Sequence, residues 1–161
     1  MTRVCYLHVG LPKTASSSFQ ATCGINADLL QDNKINYPYF SCAAANKSKI
    51  YNHSLPIRSL FTENPGNYRM NKRWGVSNNT EEVNSSYDDQ LSDFLESSDN
   101  LIISGESISL LSKESLLKLI NKIKSYNYEI KAIALVRSPY AMICSAIQQS
   151  IKTGEYFKLI S

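Results

Sequence analysis

A lysine followed by a run of hydroxyl side chains is the feature of this sequence best suited to chemistry. Lys13 follows the apolar segment 4–9 and the chain breaker Gly10, with Thr14 and Ser16–Ser18 just beyond it. The pattern predicts a buried strand, a tight turn and the start of a helix. Such a turn directs several free N–H groups at one point, and the helix dipole adds positive potential there. The segment therefore predicts an anion site for a phosphate or phosphosulfate group.

The same residues have simpler interpretations. Serine and threonine are ordinary N-terminal caps of helices, and a lysine in a loop is often only solvated. The segment also differs from the ATP-binding Walker A loop, which needs a glycine directly before the lysine and a second glycine upstream. Here Pro12 precedes Lys13, and Gly10 is the only glycine of the segment. An ATP-binding loop is therefore the weaker form of the anion hypothesis.

Polar residues also follow two later apolar segments. Glu106 comes after the run 100–105, and Arg137 comes after 129–136. Both runs are typical of buried strands in a parallel sheet. Because ligands of such sheets bind beyond the carboxyl ends of the strands, we expect Lys13, Glu106 and Arg137 to converge on one site. The alternative is that all three are chance neighbours of helix starts.

The rest of the chain alternates between helical and strand patterns. Apolar residues at helical spacing predict helices at 16–30, 49–61, 87–96, 113–125 and 139–153. Segment 35–38 is predicted to be a short extended piece, and 40–48 and 63–86 are predicted to be loops. This order predicts one α/β domain over residues 1–161, with three layers, α/β/α, around a central parallel sheet of three strands.

The loop predicted at 63–86 combines basic and aromatic side chains. It carries Arg69, Lys72, Arg73 and Trp74. Long loops are often functional, and this one could contact an acidic acceptor. A solvated loop is the simpler interpretation.

Composition limits the class of protein. The 161 residues are 43% hydrophobic and 19% charged, as in an ordinary globular domain. A net charge of +3 is too small to imply nucleic acid. No apolar run reaches 18 residues and no signal peptide opens the chain, so we expect no membrane span and a cytoplasmic location. Four cysteines form no C-x-x-C pair, and His8 and His53 are not spaced as ligands with them, so we expect no metal site.

Two motifs resemble those of the sulfotransferases. Leu11-Pro12-Lys13-Thr14-Ala15-Ser16-Ser17-Ser18 resembles their 5′-phosphosulfate loop. Val136-Arg137-Ser138-Pro139-Tyr140, with Ser145 eight residues after Arg137, resembles their 3′-phosphate motif. The resemblance spans most of the chain and is greatest to bacterial and carbohydrate-directed members. It implies a P-loop NTPase-like sulfotransferase fold and a nucleotide donor, 3′-phosphoadenosine 5′-phosphosulfate.

The resemblance also implies roles for single residues. Lys13 would contact the bridging oxygen of the donor, and the loop would hold the 5′ end through Gly10, Thr14, Ala15, Ser16 and Ser17. Arg137 and Ser145 would hold the 3′-phosphate, a role that suits the planar fork of arginine. The general base would be Glu106, with His53 as the rival.

Two features depart from the family pattern. Ala15 stands where the loop usually has a glycine, and we expect alanine to fit only if the backbone there does not need positive φ. The family's later segment over the adenosine is missing from this sequence. We therefore expect a partial version of the fold, incomplete at the C-terminus, or a sheet whose edge is covered by a partner, which leaves a homo-oligomer open.

The implied reaction transfers a sulfuryl group from the donor to a hydroxyl or amine of a sugar or small molecule by in-line displacement, without a metal. Two alternatives stay open. One is a truncated, non-catalytic domain that binds a nucleotide or only a partner protein. The other is a P-loop nucleotide kinase, which would need a Gly-Lys pair and an aspartate for magnesium, and neither is evident.

Overall fold

A parallel four-stranded sheet forms the centre of the molecule. The computed structural model describes residues 3–11 and 13–154. The strands lie in the order β2-β5-β1-β6, and all neighbours in the sheet are parallel. Their bounds are β1 Arg3–His8, β2 Ile35–Asn36, β5 Asn100–Ser104 and β6 Tyr128–Ile133. A separate antiparallel hairpin pairs β3 Phe40–Cys42 with β4 Lys47–Ile50.

Seven α-helices surround the two sheets in the described part of the chain. They are α1 Ser16–Ile25, α2 Ala27–Asp32, α3 Ser54–Phe61, α4 Arg69–Arg73, α5 Thr80–Ser97, α6 Lys113–Ser125 and α7 Pro139–Thr153. Short 3₁₀ segments add Ala43–Ala45, Pro65–Asn67 and Glu106–Leu110. None of the helices in the described ranges has both the length and the apolar character needed to cross a bilayer.

Alternate residues of the central strands pack into two separate clusters. Cys5 and Leu7 of β1 join the larger cluster with buried residues of α3, α5 and α6, whereas Tyr6 joins a smaller one with residues of α1 and α2. β5 shows the same alternation, with Ile102 on the α1 side. Because side chains alternate between the faces of a strand, helices cover both faces of the sheet. The predicted α/β architecture with a parallel sheet is confirmed.

The sheet has one strand more than predicted. Ile35–Asn36, expected only as an extended piece, pairs with β5 at its edge. The helix predicted at 16–30 is interrupted at Asn26, whose backbone is not helical and whose side-chain amide donates to the carbonyl oxygen of Thr22 at 2.8 Å. Asparagine competes for backbone partners in this way, so it separates α1 from α2.

The predictions for 40–48 and 49–61 were wrong in part. Residues predicted as a loop form the hairpin, which turns at Asn46 in the left-handed conformation and buries Phe40 and Cys42. The following helix begins only at Ser54. Pro56 lies in its first turn, and proline is tolerated there but not further inside a helix.

The asparagine-rich segment 63–86, predicted as a loop, contains α4 and the start of α5. Side-chain amides hold it in place: Asn71 donates to the Ser59 hydroxyl at 2.8 Å, and Asn84 donates to the Ser59 carbonyl at 2.9 Å. Buried polar groups with hydrogen-bond partners replace the aliphatic residues that the pattern lacks. Hydrophobic periodicity cannot detect such a segment.

β6 ends at Ile133, three residues earlier than predicted. Its only neighbour in the described sheet is β1, whose last residue His8 pairs with Ile133. Without a longer partner strand, segment 134–138 leaves the sheet. Ser138 then caps α7, Pro139 is its first residue, and Gly154 ends it in the left-handed conformation, as predicted.

Candidate functional site

The loop between β1 and α1 aims polar groups at one point beyond the carboxyl end of β1. Thr14 is buried, and its hydroxyl donates to the carbonyl oxygen of Leu11 at 2.6 Å, which closes the loop. The N–H groups of Ser17 and Ser18 have no acceptor among the described residues. α1 thus presents unpaired N–H groups and the positive end of its dipole to this point, as an anion site requires.

Two residues of the loop adopt left-handed backbone conformations. Lys13 has φ of 64° and Ala15 has φ of 65°. A side chain in this region costs roughly 1–2 kcal/mol, and Ala15 has no polar group to offset it. The condition under which alanine was expected to fit here, a backbone without positive φ, is therefore not met. The loop keeps the shape that glycine would favour and is strained by the alanine.

Arg137 and Lys13 lie together, although 124 residues separate them in the chain. The Arg137 guanidinium donates to the Lys13 carbonyl oxygen at 3.3 Å, and the Lys13 ammonium donates to Gln149 of α7 at 3.2 Å. Both side chains remain accessible, with Arg137 exposed and Lys13 half-buried. Ser145 is half-buried on α7. Two cations at adjacent strand ends can bind an anion with two separated charged groups.

A polar cluster that the sequence analysis did not single out lies directly behind the loop. His8, the last residue of β1, is fully buried, and its Nδ1 lies 2.7 Å from the Ser104 hydroxyl at the end of β5. The Gln20 amide of α1 donates to the same hydroxyl at 3.3 Å. In the sequence, this cluster is indicated by a histidine and a serine that stand at the ends of two apolar runs.

Glu106 opens the 3₁₀ segment that follows β5 and is half-buried. Its carboxylate has no hydrogen-bond or ion-pair partner among the described residues. Ser109 of the same segment approaches the loop, with its hydroxyl 3.5 Å from the Gly10 carbonyl oxygen. The segment therefore brings a free carboxylate to the same edge of the sheet as the loop.

His53 lies in a different environment from Glu106. It is 0% exposed, its Nε2 bonds to the Pro38 carbonyl oxygen at 2.8 Å, and its Nδ1 accepts from the Ser104 N–H at 3.1 Å. Burial lowers the pKa of His53 to about 4. Both ring nitrogens are thus engaged by the backbone, and neither is free to take a proton from a ligand in this conformation.

A polar cavity of about 410 Å³ lies between α3, the Pro65–Asn67 segment and the start of α6. Its wall includes Arg58, whose guanidinium lies over the Tyr68 ring at 5.0 Å, together with Glu63 and Leu110. Leu110 is the last residue of the 3₁₀ segment that begins at Glu106. At roughly 2 Å of rise per residue, the backbones of Glu106 and Leu110 lie about 8 Å apart along this segment.

The described residues contain no group of three or more histidine, cysteine, aspartate or glutamate side chains that could hold a metal ion. Comparisons of the chain with family models, curated proteins and solved structures found no match.

Proposed function

We propose that this chain is a sulfotransferase that binds 3′-phosphoadenosine 5′-phosphosulfate across the ends of β1 and β6. The main support is the contact between Arg137 and Lys13, which joins the two sequence motifs into one cationic site. The unpaired N–H groups at the start of α1 support it further. The proposed contacts follow the sequence resemblance, with Lys13, Thr14, Ser16 and Ser17 at the 5′ end and Arg137 with Ser145 at the 3′-phosphate.

The reaction would be an in-line displacement. The acceptor oxygen or nitrogen forms a bond to the donor sulfur, and the bond from sulfur to the bridging phosphate oxygen breaks. Adenosine 3′,5′-bisphosphate leaves with the bonding electrons, and Lys13 stabilises the charge that develops on the leaving oxygen. Glu106 is the base in this proposal, because its carboxylate is unpaired and half-buried whereas both nitrogens of His53 are engaged.

We place the acceptor in the cavity beside Arg58. Its lining offers hydrogen-bond groups, the guanidinium of Arg58 and the carboxylate of Glu63, which suits a polyhydroxyl compound without net charge. The 3₁₀ segment joins Glu106 to Leu110 in the cavity wall, with about 8 Å between their backbones. A sugar could therefore occupy the cavity while one of its hydroxyls reaches Glu106.

The first test is calorimetric titration with adenosine 3′,5′-bisphosphate. Arg137→Ala removes hydrogen bonds to a charged group, and binding should weaken by about 1.5–3 kcal/mol. Arg73→Ala, an exposed arginine of α4, is the matched control and should leave the affinity unchanged. Absence of binding by the folded wild-type chain would overturn the donor site.

The second test measures transfer of labelled sulfate from the donor to a panel of sugars, with Glu106→Gln beside the wild type. A loss of turnover with unchanged bisphosphate affinity would support the base. Binding without turnover on any acceptor would favour a non-catalytic nucleotide-binding domain. Turnover of ATP that depends on magnesium would favour a kinase, because sulfuryl transfer needs no metal.

A further inference from the structure

Two buried polar atoms next to the loop have no hydrogen-bond partner among the residues that the structure describes. They are Nε2 of His8 and Oγ of Ser16, in residues that are 0% and 3% exposed. Buried polar groups are normally paired, and an unpaired one carries a free-energy penalty. Ser16 is the first residue of α1, a helix of 10 residues whose start carries the free N–H groups. The penalty is therefore concentrated at the proposed anion site.

Both atoms lie against the same point of the backbone. A Cβ atom built on Gly10 would be 2.2 Å from the Ser16 oxygen and 3.2 Å from the His8 Nε2. Only glycine leaves room for the hydroxyl and the ring to meet there. Because each atom lies this close to the same point, the Ser16 oxygen and Nε2 of His8 are near neighbours across Gly10.

The hydrogen bonds behind His8 favour one tautomer of its ring. The Ser54 N–H donates to the Asn52 side-chain oxygen at 3.0 Å, so this oxygen is an acceptor. It also accepts from Gln20, and the Gln20 amide nitrogen therefore faces both Asn52 and the Ser104 hydroxyl. Since the Ser104 oxygen accepts from Gln20, its own proton is free to point at Nδ1 of His8.

If the Ser104 hydroxyl donates to Nδ1, the proton of neutral His8 lies on Nε2, the ring nitrogen beside Gly10 of the loop. Burial lowers the pKa of His8, so the ring stays neutral near pH 7. The Phe19 ring, with its centroid 4.5 Å from that of His8, packs against it and limits its rotation. The ring is thus a fixed, neutral hydrogen-bond donor directly beneath the helix start.

We propose that His8 is a positioning residue for the anion site and acts through Ser16. When an oxyanion occupies the loop, Nε2–H of His8 donates to the Ser16 oxygen, and the Ser16 hydroxyl then donates to the anion. The hydrogen bonds run in one direction, from Gln20 through Ser104, His8 and Ser16 to the bound oxygen. Each bond in such a chain polarises the next and strengthens the last donor.

The chemical class of the ligand is a tetrahedral oxyanion, and its identity as the 5′-phosphosulfate end of a nucleotide rests on the proposed function. This series of hydrogen bonds ends in a neutral donor, the Ser16 hydroxyl, and adds no charge to the site. It therefore selects for an acceptor oxygen at one position and complements the charges of Lys13 and Arg137.

The experiment compares His8→Leu, His8→Gln and Ser16→Ala with the wild type in titrations with adenosine 3′,5′-bisphosphate. We expect His8→Leu and Ser16→Ala to weaken binding about tenfold each. The double variant His8→Leu/Ser16→Ala should weaken it no further, because both substitutions interrupt the same series of hydrogen bonds. A glutamine amide can stand close to the Nε2 position, so His8→Gln should retain most of the affinity.

A second measurement on the wild-type chain does not depend on how the variants fold. The ¹⁵N and ¹H signals of the His8 ring are followed by NMR during separate additions of inorganic phosphate and the bisphosphate. We expect the Nε2–H proton to move downfield on binding, as its bond to Ser16 forms, while Nδ1 keeps the shift of an unprotonated nitrogen. A purely structural histidine would leave both signals unchanged.

The outcomes separate this inference from the proposed function. If the bisphosphate binds but the His8 signals and the His8→Leu affinity do not change, the chain of hydrogen bonds is overturned and the donor site stands. If inorganic phosphate moves the His8 signals but the bisphosphate binds no better than phosphate, the series of hydrogen bonds is supported. The proposal that the ligand is a nucleotide is then overturned. If neither ligand binds to the folded wild type, both are overturned.

Discussion

The region around β5 and the region formed by β6 and α7 differ sharply in packing. In the first, four of the five residues of β5 are buried, and buried residues of α3, α5 and α6 cover one face of the strand. In the second, β6 keeps only Tyr128 buried, and none of the residues of α7 is buried. Several large apolar side chains there are exposed, including Val136 at 81% and Ile151 at 69%.

This difference in packing divides the candidate site into two halves. The half proposed to hold the 5′ end of the donor is the loop after β1, which is supported from behind by the buried cluster of His8, Ser104 and Gln20. The half proposed to hold the 3′-phosphate consists of Arg137 and Ser145, which belong to the exposed region. Pre-organised groups bind with less loss of entropy than free ones. The loop therefore contributes a fixed shape, and Arg137 is positioned mainly by its bond to the Lys13 carbonyl oxygen.

The largest effect on the free energy of unfolding is expected from a substitution at Gly105, where α3 meets the end of β5. A Cβ atom on Gly105 would lie 2.7 Å from the Ser54 backbone nitrogen and 2.9 Å from its Cα, so the backbone must move to accept it. Gly105→Ala should reduce the free energy of unfolding by about 3 kcal/mol or more, measured by urea denaturation. Gly75→Ala has nothing within 4 Å of the added Cβ and should cost only about 1 kcal/mol for its positive φ. Equal effects of the two substitutions would contradict this close approach.

The second largest effect is a pH dependence that originates in the same region. The pKa of His53 is about 4 in the folded chain, below the ordinary histidine value of 6.5. The unfolded chain therefore binds more protons between these values, and stability is lost as the pH falls from 6.5 to 4. One proton contributes at most about 1.4 kcal/mol per pH unit. The pKa of His8 is also lowered, which adds a loss of the same sign.

Urea denaturation at several pH values measures this slope, and His53→Gln is the control. The variant should lose stability at neutral pH, because glutamine cannot reproduce both backbone hydrogen bonds, and its slope between pH 4 and 6.5 should be smaller. A variant with an unchanged slope would show that folding does not lower the pKa of His53.

Strong hydrophobic patterns made the better-packed region easier to predict. The run at 100–105 and the helix at 113–125 match β5 and α6, which the Ser112 side chain caps. Segment 63–86 was mistaken for a loop because its contacts are made by side-chain amides, such as those of buried Asn71 and half-buried Asn84. Amide networks have no periodicity in sequence, and their partners are distant along the chain.

The candidate site was predictable where its residues follow strands. Lys13 and Arg137 were expected at one edge of the sheet, and the structure brings them into contact. The role proposed for His8 could not be predicted, because it depends on a contact with Ser104, 96 residues away, and on the close approach of Ser16 to Gly10. The backbone conformation of Ala15 was also missed, since the residue type favours a helical φ.

Replacement of Ala15 tests the strain in the loop. Because φ at this position is 65°, Ala15→Gly should raise the free energy of unfolding by about 0.5–1 kcal/mol. Ala21→Gly, at an exposed position inside α1, should lower it by about 1 kcal/mol. Thermal or urea denaturation of the two variants gives the comparison. A loss of stability in both variants would mean that the loop adopts a different conformation in solution.

The smallest effect on the free energy of unfolding is expected from a substitution on the exposed face of α7. Ile147 is 41% exposed, whereas Ile123 of α6 is fully buried in the core. Ile123→Ala should cost about 2–5 kcal/mol, and Ile147→Ala should change the free energy of unfolding by less than about 0.5 kcal/mol. Urea denaturation at two protein concentrations makes the comparison independent of association. If Ile147→Ala costs as much as Ile123→Ala only at the higher concentration, then this face is buried between copies of the chain. If the cost is the same at both concentrations, α7 packs more tightly within the chain than the structure shows, and the contrast between the two regions fails.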